Sequence, residues 1–74
     1  MFVEADLKNE VASLGALLGD TRARYRQGAT PYASAEKLIE LDREIRGALS
    51  RPLSDELQVA VRSLTARLHA LDPR

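Results

Sequence analysis

Mostly apolar residues, with Thr21 and Ser34 as the polar exceptions, recur along this chain in alternating steps of four and three, in three separate segments. The first segment holds Leu7, Val11, Leu14, Leu18, Thr21 and Tyr25, the second holds Ser34, Leu38, Leu41, Ile45 and Ala48, and the third holds Leu57, Val61, Leu64, Leu68 and Leu71. This spacing places each set on one stripe of an α-helix and is typical of coiled-coil-like packing. The pattern predicts an all-α chain whose apolar side chains are committed to contacts between helices.

Two breaks that contain proline divide the chain into predicted helices at about 3–27, 31–49 and 54–71. Gly28 is suited to end the first helix, Thr30 and Pro31 to begin the second, and Ser54 to cap the third. Short connections favour antiparallel neighbours. We therefore expect a single small domain, 1–74, made of an antiparallel helical hairpin plus a third helix that either closes a bundle or projects.

Composition narrows the kind of partner that this domain can have. The 74 residues include eleven basic and eleven acidic ones, one histidine and no cysteine. A balanced charge disfavours nucleic acid, and the chain has no apolar run long enough to span a membrane. A domain this small buries only about 60% of its unfolded surface, so it benefits from external support. We expect a protein partner or self-association in the cytoplasm, with no cofactor, metal or small-molecule substrate.

The first helix carries a second face of small residues. We call it the small-residue face, and it consists of Ala12, Gly15, Ala16, Gly19 and Ala23. Each interior glycine costs about 1 kcal/mol relative to alanine, so these positions need a compensating reason. One interpretation is a docking surface for a partner helix, and the other is close packing against the third helix of the same chain.

Two tyrosines, Tyr25 and Tyr32, bracket the break between the first two helices. They either pack on each other to hold the end of the hairpin or form an aromatic contact for a partner. His69 follows the third stripe by one position and is expected at the surface. The carboxylates of the second helix, Glu36, Glu40, Asp42 and Glu44, are interpreted as a solvated face rather than a catalytic or metal cluster.

The segment Gln27-Gly28-Ala29-Thr30-Pro31 between two heptad helices resembles the turn of the small helical-hairpin co-chaperones of type III secretion needle subunits. The resemblance covers roughly residues 7–49. It implies binding to a larger helical-repeat chaperone, and jointly to the needle subunit, to prevent premature polymerisation.

A second resemblance is to the small aspartyl-phosphate phosphatases that act on sporulation response regulators. Leu38-Ile39-Glu40-Leu41-Asp42 is similar to their Ser-Gln-Glu-Leu-Asp signature in its last three residues. It implies that dephosphorylation would depend on Asp42. We interpret the chain as a non-enzymatic adaptor or co-chaperone. The alternatives are this phosphatase-type regulator and a structural homo-oligomer.

Overall fold

The computed structural model describes residues 1–26 and 35–71, and this part of the chain forms three α-helices. They are α1 (Glu4–Arg26), α2 (Ala35–Leu49) and α3 (Asp55–Leu71). The predicted all-α, three-helix architecture is confirmed. The predicted helix ends at Leu49 and Leu71 agree with the structure, and α1 and α3 each begin one residue later than expected. The predicted boundaries at Gln27 and Pro31, with Gly28 and Thr30, lie outside the described residues.

Local interactions explain where the helices begin and end. Ser54 caps α3 as predicted, because its hydroxyl accepts a hydrogen bond of 3.0 Å from the backbone N–H of Leu57. Acidic residues occupy the first turn of α1 and of α3, where they complement the helix dipole. After α2, the hydroxyl of Ser50 donates to the carbonyl of Gly47 at 2.8 Å. That bond satisfies one of the carbonyls that the end of the helix leaves without a partner.

The three predicted stripes form the core. Its buried apolar members are Leu7, Leu14, Leu18, Leu38, Leu41, Ile45, Ala48, Leu57, Val61, Leu64 and Leu68. Val11, Tyr25 and Leu71 are partly buried and pack against this cluster. Ser34, at the start of the second stripe, lies outside the described residues. The third helix closes the bundle, because α3 packs against both α1 and α2.

Contacts between distant residues fix the direction of each helix. Arg22 approaches Asp42, and Gly15 lies near Leu49, so α1 and α2 are antiparallel. Glu10 contacts both Gln58 and Arg62, and the amino group of Met1 lies 3.5 Å from a carboxylate oxygen of Asp55. These pairs show that α1 and α3 run in the same direction, which gives an up–down–up bundle.

We expect the core to depend strongly on Ile45, which is fully buried, and hardly at all on Ile39 of the same helix, which is 61% exposed. Ile45→Ala should lower the free energy of unfolding by about 2–5 kcal/mol, because it removes buried methyl groups and leaves a cavity. Ile39→Ala should change it by less than about 0.5 kcal/mol. Urea denaturation followed by circular dichroism measures both. Equal losses would contradict the assigned core.

Thr21 is the polar residue of the α1 stripe, and it is 1% exposed. Its hydroxyl donates to the carbonyl oxygen of Leu17 at 2.9 Å, one turn earlier in the same helix. Such a bond satisfies the hydroxyl but slightly disfavours the helix. Thr21→Val should therefore raise the free energy of unfolding by about 0.5–1 kcal/mol, because a methyl group suits this buried site better. A clear loss in the same denaturation assay would show that the hydroxyl stabilises the fold.

Candidate interaction surface

The small-residue face lies on the side of α1 that points away from the core. Ala12, Ala16, Gly19 and Ala23 are all exposed, and Gly15 is half-buried at the edge of the face. With 3.6 residues per turn, these positions fall roughly opposite the buried Leu7 and Leu14. The alternative interpretation was close packing of this face against the third helix. The exposure of these residues shows that it is wrong.

The two glycines of this face have different surroundings. A Cβ atom built on Gly15 would lie 3.9 Å from Cδ1 of Leu49, which is an ordinary contact with α2. A Cβ atom built on Gly19 would meet nothing within 4 Å. No packing within the described part of the chain thus requires glycine at position 19.

Sequence reasoning missed one member of this surface. Ala5 is exposed and lies seven residues before Ala12, so it continues the same row towards the start of α1. The seven-residue spacing of Ala5, Ala12 and Gly19 would have identified it. The extended surface covers most of the length of α1.

Arginine side chains border the far end of this surface. Gly19, Arg22, Ala23 and Arg26 line an open cleft of about 230 Å³. Arg22 is half-buried, with Nη1 4.0 Å from Oδ1 of Asp42, and Arg26 is exposed. The cleft is therefore lined by two small residues, Gly19 and Ala23, and by two positively charged arginines.

The two predicted tyrosine sites have separate outcomes. Tyr25 is half-buried and packs against the hydrophobic core, so part of its ring stabilises the bundle. Tyr32 lies outside the described residues. A contact between the two rings, or between them and a partner, stays a prediction.

Two of the carboxylates of the second helix, Asp42 and Glu44, take part in ion pairs with other helices. Asp42 faces Arg22 across α1 and α2, and also pairs with Arg46 within α2 at 3.1 Å. Glu44 pairs with Arg67 of α3 at 2.6 Å. His69 is exposed in the last turn of α3. Within residues 1–26 and 35–71, no three metal-ligating side chains of the His, Cys, Asp or Glu type come together.

Glu10 joins α1 to α3 through both of its carboxylate oxygens. Oε1 accepts a hydrogen bond of 2.9 Å from Nε of Arg62, and Oε2 accepts one of 3.2 Å from Nε2 of Gln58. The Arg62 guanidinium, aided by the Gln58 amide, lowers the pKa of Glu10 from its ordinary value of 4.5. The pKa of Glu10 is thus lowered by contacts that Glu10 of α1 makes with two residues of α3.

Comparisons with known proteins add no relative. A scan against protein-family models, a search of curated proteins and a search of solved structures each find no match to this chain. None of the helices in the described residues is long and apolar enough to cross a membrane.

Because the native state lowers the pKa of Glu10, its ionised form stabilises the fold above the ordinary pKa, and this contribution is lost as the pH falls through the native value. Glu10→Gln should lower the thermal midpoint at pH 7, by a margin that shrinks as the pH falls below the ordinary pKa of 4.5 and the Glu10 carboxylate becomes protonated. Glu4→Gln is the matched control, because Glu4 pairs at 3.0 Å with Lys8, which belongs to the same helix. Thermal melts of wild type and both variants, from pH 7 to below the ordinary pKa of 4.5, test the prediction. A constant difference between wild type and Glu10→Gln would contradict it.

Gly19 and Gly47 both have room for a methyl group, so we expect the isolated protein to tolerate alanine at either position. Gly19→Ala should raise the free energy of unfolding by about 0.5–1 kcal/mol through helix propensity. A Cβ atom added to Gly47 of α2 would also meet nothing within 4 Å, so Gly47→Ala should stabilise too. The gain there should be smaller, because this residue lies in the last turn of α2, where helices fray. Destabilisation by Gly19→Ala would show that α1 needs glycine for its own fold.

Proposed function

We propose that this protein is a non-enzymatic interaction module, a small adaptor or co-chaperone that binds a partner helix on the small-residue face of α1. The observation that carries the proposal is the exposure of Ala12, Ala16, Gly19 and Ala23 beside a core that three helices already close. Short side chains allow two helix axes to approach to about 8 Å, the near end of the usual range. The face is suited to a helix that packs closely along α1.

Gly19 carries an energetic cost within α1. Glycine within a helix costs about 1 kcal/mol relative to alanine, and a small domain has only a few kcal/mol of stability in total. Nothing in the described residues lies close enough to exclude a methyl group there. A close approach by a partner would supply the reason for glycine that packing among the described residues does not.

Charge suggests how the partner lies. The first turn of α1 contains Glu4 and Asp6, and its last turn contains Arg24 and Arg26. A partner helix with carboxylates near the cleft at Arg22 and Arg26 would be favoured there, and an antiparallel orientation would also align the helix dipoles favourably. A second copy of α1 meets these conditions, so self-association is one outcome that the experiment below separates from a different partner.

Three carboxylates of the bundle take part in contacts between helices. Glu10 and Glu44 hold α3 to the other two helices through Arg62 and Arg67. Asp42, on which the phosphatase alternative depends, is engaged by Arg22 and Arg46. These contacts give the three carboxylates structural roles, and the phosphatase alternative rests on the Glu40-Leu41-Asp42 resemblance alone.

The biological context of the proposal comes from the sequence. The resemblance to type III secretion co-chaperones rests on the Gln27–Pro31 turn, which lies outside the described residues, and it suggests a cytoplasmic adaptor for a secreted subunit. The exposed face of α1 lies within the segment that the resemblance covers and offers such a partner a surface to pack against.

The decisive experiment compares Gly19→Leu with Gly47→Leu. Both replace an open, exposed helix glycine by the same side chain, but only the first fills the proposed interface. Light scattering over a range of concentrations first shows whether the pure chain self-associates. A photo-reactive residue at position 16 then captures partners in cells, and purified candidates are measured by calorimetry. Gly19→Leu should weaken binding, to a partner or to a second copy, by about tenfold or more, and Gly47→Leu should not.

The readouts distinguish a binding defect from a folding defect. Circular dichroism should show that both leucine variants remain at least as helical as the wild type. Equal binding by wild type and Gly19→Leu would exclude the small-residue face as the interface. A chain that stays monomeric and captures no protein through position 16 would overturn the proposed function.

A further inference from the structure

We draw no further inference here: the strongest candidate, the open cleft of about 470 Å³ between α2 and α3 that Lys37, Glu40, Leu41, Arg67 and Leu71 help to line, mixes cationic, anionic and apolar groups, and nothing in the described residues shows what covers it.

Discussion

Burial of one apolar stripe from each helix is the interaction on which the structure depends. Leu14 of α1, Ile45 of α2 and Leu68 of α3 are almost completely withdrawn from water. Each isolated helix would be marginal in water, because the packing of its apolar face provides most of its stability. The helices and the core therefore form together.

The ion pairs between helices act on this core in a secondary way. Glu10–Arg62 joins α1 to α3, Glu44–Arg67 joins α2 to α3, and Arg22 faces Asp42 across α1 and α2. Partly exposed pairs of this kind contribute between about 0 and 1 kcal/mol each, much less than a buried leucine or isoleucine. Their main effect is geometric, because opposite charges at fixed positions favour this register of the helices over shifted ones.

The outer side of α1 is accessible at the expense of helix stability. An ordinary surface helix covers its outer side with long polar side chains. The outer side of α1 instead has alanine and glycine at its centre, and Gly19 lowers helix stability although no described residue comes within 4 Å of where its Cβ would be. Selection for stability alone would not favour this glycine. The bundle keeps α1 folded from one side and leaves the opposite side accessible.

The sequence alone determined the three helices, the end of α2 at Leu49, the Ser54 cap of α3 and nearly all of the core. Helical periodicity and capping depend on residues only a few positions apart, so they can be recognised in the sequence. It also identified the small residues of α1, but it left open whether they face α3 or solvent. That choice depends on which sides of the helices meet. Contacts between residues far apart in the chain, such as Glu10 with Gln58 and Arg62, are made in the folded bundle. Helical periodicity places the small residues opposite Leu7 and Leu14, but it does not say which sides of α1 the other helices cover. In the bundle both neighbouring helices pack on the side of Leu7 and Leu14, so the small residues lie outside.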